Sequence, residues 1–331
     1  MVERQLIIHA GLPKTGTTSL QRSVFPHLES YLGGTEPGGR HEALAKELLS
    51  LYQGKFGHPD FGSTVWRLEF WNWWDRLQDV SSIKNFVSLE ALFRWFDPVS
   101  GHPWPLMGDG RGYRSHRYGT HPIVNFASAL VEELGDGHVK FILTLRNQAD
   151  FAISHYAQLS YRMLRPNQVD FERKIESQLT SPDPFFDWAT TVSCLREVVG
   201  AEHLLLPVFE DGLETVADSI TGFVDGVSLG VMPTRSNVRS SSDGWAVDTT
   251  SKSTIRTWSR RVWPPDTQPV VREVVSRRLS SLARVGPKRS KMSAQHIEFP
   301  EQLRQAFQAS FRKSNNQLAE FVQRDLAPFG Y

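Results

Sequence analysis

The segment Gly11-Leu12-Pro13-Lys14-Thr15-Gly16-Thr17-Thr18 constrains this chain more than any other. It follows an apolar run, residues 5–10, that reads as a strand, and it opens a helical pattern at Thr17. Glycines let the backbone turn tightly and approach an anion. The first N–H groups of a helix then point at that anion with the positive end of the dipole. Thr15, Thr17 and Thr18 add hydroxyl donors. This is the make-up of a phosphate cradle; the competing reading is an ordinary Gly/Thr-rich turn between strand and helix.

Three more runs, 85–89, 139–145 and 203–208, have the character of short strands. The run 139–145 is mostly apolar and too short for a typical helix, so it reads as a buried strand. Helical patterns lie between them. One spans 17 to about 25, with Leu20 and Val24 on one face and Pro26 to stop it. Another spans 122–134, with Ile123, Phe126, Leu130 and Leu134 in a stripe. A third spans 213–224, with Val216, Ile220, Phe223 and Val224 facing inward. Strands alternating with helices predict an α/β fold, a parallel sheet flanked by helices. No internal repeat is found, and a single domain over 1–331 is expected, with irregular insertions at about 54–79 and 97–121.

Composition narrows the function. A formal net charge of +1 argues against a nucleic-acid binder working through a broad cationic surface. The stretch 252–291 nevertheless holds eleven Lys/Arg against Asp266 and Glu273. It reads either as an interaction surface or as a solvated helix face. The single Cys194 can form no intramolecular disulfide, and no Cys/His spacing resembles a zinc site. No run approaches the ~20 apolar residues of a membrane span. A cytoplasmic location is the expectation; a chain that has lost an anchor is the alternative.

The loop differs from the nucleoside-triphosphate loop G-x-x-x-x-G-K-[ST]. Gly11, Gly16 and Thr18 fit its spacing, but Thr17 stands where the lysine belongs and Lys14 sits in mid-turn. The strand 139–145 leads into Arg146 rather than an acidic magnesium ligand. A kinase reading thereby loses its lysine and its metal residue. Arg146, at a strand exit, offers bidentate bonds to a phosphate, and Ser154, about two helical turns on, offers a hydroxyl. The plainer alternative makes Arg146 an ion-pair anchor and Ser154 a surface residue.

The residues 13–21, Pro-Lys-Thr-Gly-Thr-Thr-Ser-Leu-Gln, resemble the 5′-phosphosulfate loop of the PAPS-dependent sulfotransferases, bacterial members in particular. Residues 143–150, Leu-Thr-Leu-Arg-Asn-Gln-Ala-Asp, followed by Ser154 and Tyr156, resemble that family's 3′-phosphate motif. Fainter likenesses lie in Leu206-Pro207-Val208-Phe209-Glu210 and in the closing stretch from Asn315 to Tyr331. The resemblance implies the sulfotransferase fold, with 3′-phosphoadenosine 5′-phosphosulfate (PAPS) as sulfuryl donor and no metal. It implies donor binding by Pro13, Lys14, Thr15, Gly16, Thr17, Thr18, Arg146 and Ser154, and a catalytic role for Lys14.

An acceptor hydroxyl needs a general base. Glu90 is the first candidate, because it follows a predicted strand at the end where α/β sites assemble, and the Ser88-x-Glu90 spacing echoes bacterial sulfotransferases. Its bland reading is a structural carboxylate paired with Arg94. Glu36 and His41, in a Gly-rich segment after the first helix, are rivals, while His9 reads as a core or supporting histidine. The Trp-rich segment from Phe56 to Trp74 suits either core packing or stacking on a carbohydrate acceptor. Two other readings stay open: a small-molecule kinase with a deviant loop, and a catalytically silent nucleotide-binding protein.

Overall fold

Leu6, Ile7 and Ile8 form an unbroken apolar run, which suits a strand covered on both faces. They lie in β1 (Gln5–His9) and are fully buried in a computed structural model of the chain. The structure describes residues 4–11, 15–53, 61–80, 83–89, 92, 96–97, 102–103, 122–160, 166–180, 186–231, 233, 240–241, 244–247 and 295–331. With β2 (Tyr31–Gly34), β3 (Lys84–Ser88), β6 (Val139–Ile142) and β7 (Leu204–Leu205), β1 builds a parallel sheet in the order β2-β3-β1-β6-β7. The short β4 (Phe96–Asp97) and β5 (His102–Pro103) pair antiparallel elsewhere. A second small sheet joins β8 (Ser240–Ser241), β9 (Gly244–Val247) and β10 (Gln295–Ile297).

Side chains of β1 alternate between two cores, as strand geometry requires. Ile7 packs with Leu20 and Val24, from and just after α1 (Thr17–Ser23), and with Val216, Ile220 and Val224 of α8 (Leu213–Asp225). Leu6 and Ile8 belong to the opposite core. That core takes residues from α2 (Glu42–Gln53), α3 (Thr64–Val80), α4 (Pro122–Leu134), α5 (Gln148–Leu159), α6 (Gln168–Thr180) and α7 (Trp188–Val199). It also takes Phe307 of α9 (Glu301–Ser310) and Leu318 of α10 (Arg312–Val322). The protein is therefore an α/β fold with helices on both faces of a parallel sheet. No helix among the described residues is long and apolar enough to cross a membrane.

The predicted elements are present with shifted ends. The helix expected over 122–134 has those bounds, and the one over 213–224 runs one residue further, to Asp225, where Gly226 turns left-handed at φ 74°. The first helix stops at Ser23, and Pro26 lies in a separate 3₁₀ turn (Phe25–His27). The strand expected over 139–145 is regular only from Val139 to Ile142, and the one over 203–208 only over Leu204–Leu205. Leu143 N still donates to Leu205 O at 2.9 Å, and an isolated bridge joins Leu145 to Val208. Pro207 has no N–H to continue the ladder, although its carbonyl still accepts from Leu145 N at 2.7 Å.

The insertion expected to be irregular over 54–79 needs correction, because residues 64–80 are helical. Trp66, Phe70, Trp73, Trp74 and Leu77 recur at helical spacing and are all at most 5% exposed. Burying such side chains stabilises by roughly 1.5–3 kcal/mol each. These aromatics are core. Trp71 is the exception, and its indole N–H donates to Glu133 Oε2 at 2.8 Å. Of the insertion expected over 97–121, the pairing of β4 with β5 is described; the rest, like Phe56 and the basic stretch 252–291, lies outside the described residues.

Candidate active site

The sheet order sends the chain from β1 to one side, towards β2 and β3, and later to the other, towards β6. Such a reversal opens a crevice at the carboxyl ends of the two central strands, where α/β proteins bind ligands. The loop after β1 and the residues after β6 both lie there. The register sets His9 against Ser88 on one side and Ile142 on the other, and Ala10 N donates to Ile142 O at 2.8 Å.

Contact accounts for the glycine at Gly11 and backbone conformation for the one at Gly16. A Cβ on Gly11 would stand 2.8 Å from Thr17 Oγ1 and 2.9 Å from His9 Nε2. Gly16 has φ 73° and ends the loop in the left-handed region, which favours glycine, with the Leu213 side chain close by. Thr15 and Thr17 are buried with their hydroxyls 3.3 Å apart, while Thr18 is partly exposed. Pro13 and Lys14 lie outside the described residues.

Beneath the loop runs a buried polar chain. His9 Nδ1 bonds Ser88 Oγ at 2.8 Å and Nε2 bonds Thr144 Oγ1 at 3.0 Å. Gln21 Nε2 donates to Ser88 O at 2.7 Å and to Ser88 Oγ at 2.9 Å, and Gln21 Oε1 accepts from Thr35 Oγ1 and from Glu36 N. The chain ties the ends of three strands to α1. Burial holds the His9 imidazole neutral, its pKa pushed down to about 3.

A histidine that is neutral when folded but binds a proton when unfolded makes stability depend on pH. His9 contributes no slope above about pH 6.5. As pH falls from there towards 3, its burial costs up to ~1.4 kcal/mol per pH unit. Denaturant melts of wild type and His9→Gln between pH 7.5 and 4 should show the variant with the shallower loss. Equal slopes would mean that His9 is not the buried base described.

Arg146 emerges beyond β6, with Leu145 bridged to Val208 and Phe209 N donating to Leu145 O at 2.9 Å. Its guanidinium lies over the Phe209 ring, 4.9 Å from the centroid. The edge of the same ring is 3.3 Å from where a Gly16 Cβ would be. Phe209 thus joins the glycine loop to the arginine. Burial lowers the guanidinium pKa, and the charges of Asp150 and Glu210 oppose that shift. Burial also raises the Glu210 carboxyl, against the bond from Asn147 N at 2.8 Å.

The other sequence candidates are placed as follows. Ser154 is fully buried on α5, its hydroxyl donating to Phe151 O at 3.0 Å, a bond any ligand would have to replace. Glu36 follows the edge strand β2, and its Oε2 takes 2.6 and 3.0 Å bonds from Arg22. His41 sits just before α2, its N–H donating to Leu32 O at 2.7 Å. Glu90 lies outside the described residues, but Leu89 N donates to His9 O at 2.8 Å and Leu92 N donates to Leu89 O at 3.0 Å. The sequence reading did not foresee Phe209 as the link, nor the chain through Gln21, Ser88 and Thr144. Thr144 in an apolar run and Gln21 beside Leu20 were the local signals for that chain.

No protein-family model matches the chain, and no curated protein does. Among solved structures it is similar to a sulfotransferase from Alicyclobacillus acidocaldarius, with 14% sequence identity, 99% of each chain covered and a TM-score of 0.47.

Proposed function

We propose that this protein transfers a sulfuryl group from PAPS to a hydroxyl acceptor, a small molecule or a glycan. The observation that carries the reading is the meeting of the glycine loop and Arg146 across Phe209 at the mouth of the sheet. A loop that approaches an anion closely and an arginine one strand away suit a nucleotide phosphorylated at two separated positions. The described residues are compatible with such a donor: Gly11 and Gly16 keep the turn after β1 tight, and Arg146 is a half-buried cation at a strand exit.

The bound donor would supply the sulfuryl group and a 5′-phosphate leaving group. In this reading Lys14 neutralises charge on the leaving phosphate, and the loop amides with Thr15, Thr17 and Thr18 hold the oxygens. Glu90 removes the acceptor proton as the acceptor oxygen bonds to sulfur and the bond from sulfur to the bridging oxygen breaks. Arg146 grips the 3′-phosphate, and Ser154 would exchange its bond to Phe151 O for one to that phosphate. The buried indoles of α3 leave Trp71 as the exposed aromatic there, so a sugar acceptor does not gain support from them.

Calorimetry with Arg146→Ala tests the assignment. Losing a charge-assisted, desolvated contact costs ~1.5–3 kcal/mol, so binding of adenosine 3′,5′-bisphosphate should weaken roughly 10- to 150-fold. Adenosine 5′-phosphosulfate, which lacks the 3′-phosphate, should bind almost as before. Equal losses for both would overturn the reading, as would a wild-type protein that prefers magnesium ATP to the bisphosphate.

A further inference from the structure

We propose that Tyr331 is a positioning residue for Arg146, holding Glu210 so that Glu210 fixes the backbone from which the guanidinium projects. This rests on Arg146 recognising the 3′-phosphate. The Tyr331 hydroxyl donates to Glu210 Oε2 at 3.1 Å. The other carboxylate oxygen, Oε1, accepts from the backbone N–H of Asn147 at 2.8 Å and from its side-chain amide at 3.4 Å. Asn147 directly follows Arg146 and caps α5, its Oδ1 accepting from Asp150 N at 2.9 Å. Each oxygen of Glu210 is thereby engaged.

Tyr331 is itself held in place. Asn147 Nδ2 donates to Phe329 O at 3.1 Å and Gln308 Nε2 to Gly330 O at 2.8 Å. Gly330 turns at φ 78°, a left-handed conformation that favours glycine. The Tyr331 ring meets the buried Trp188 ring edge-on, with centroids 6.4 Å apart. Residues 145–147 and 207–210 are already clipped together by the bridge of Leu145 to Val208 and the bond from Phe209 N to Leu145 O. Tyr331 closes that clip from a third element. Charge-assisted bonds of this kind are stronger than neutral ones, and supporting contacts to a ligand-binding group set its geometry.

The test compares adenosine 3′,5′-bisphosphate with adenosine 5′-monophosphate by calorimetry on the full chain, with the melting temperature recorded alongside. Tyr331→Phe keeps the ring and removes the bond. It should weaken the bisphosphate about five- to tenfold and leave the monophosphate within about twofold. Glu210→Gln provides the second arm. In that background Tyr331→Phe should cost less than about twofold more, because the two changes break one connection. Equal weakening of both nucleotides, no weakening of either, or full additivity of the two variants would overturn the inference while leaving the donor reading in place. A wild-type protein that binds the two nucleotides equally would overturn the donor reading, and the inference with it.

Discussion

Glu90→Gln is expected to lower turnover by ~10²–10⁴ while nucleotide binding stays unchanged. The substitution keeps the shape of the side chain and removes its capacity to accept a proton. The reasoning is positional. Leu89 and Leu92 are buried, Leu92 N donates to Leu89 O at 3.0 Å, and Leu89 N donates to His9 O at 2.8 Å. Glu90 follows Leu89 in the chain, at the carboxyl end of the strand paired with β1. The glycine loop leaves from that same end of β1. The rival Glu36 follows the edge strand β2 and is already engaged by Arg22. A base must be ionised to act, so the acidic limb of the rate–pH profile should disappear in the variant. Near-normal turnover in Glu90→Gln, with activity abolished by Glu36→Gln or His41→Ala, would move the base to the other loop. Activity in all three would point to an acceptor that needs no base.

Lys14→Ala is expected to lower turnover by ~10²–10³, the scale of losing one preorganised group that stabilises developing charge. The melting temperature should change little. Lys14 is bonded to Thr15, and Thr15, Gly16 and Thr17 form the turn from which α1 starts. In the proposed mechanism Lys14 acts on the leaving phosphate rather than on the nucleoside, so the loss is expected in kcat rather than in bisphosphate affinity. Single-turnover measurement at saturating donor separates the two. A few-fold effect would exclude Lys14 from the chemistry and overturn the sulfuryl-transfer mechanism proposed for it.

Local pattern made part of this protein legible without coordinates. The strand, glycine loop and helix at 5–23, the helix Pro122–Leu134 and the α/β class follow from apolar periodicity and from glycine and proline placement. These preferences act over a few residues, so the sequence displays them directly. The helix Thr64–Val80 was also written at helical spacing, in Trp66, Phe70, Trp73, Trp74 and Leu77, but its aromatic density read as an irregular insertion, with core packing and carbohydrate stacking both open. Burial decided it as core. Other features lie beyond any local pattern. His9 meets Ser88 and Thr144 across separations of 79 and 135 residues, and Tyr331 reaches Glu210 across 121. The strand order laid β6 beside β1, and packing put the Phe209 ring between Gly16 and Arg146. Periodicity records which face of an element is buried; which residues meet across that face is set by how the sheet is ordered and its helices pack, and only the tertiary structure decides that.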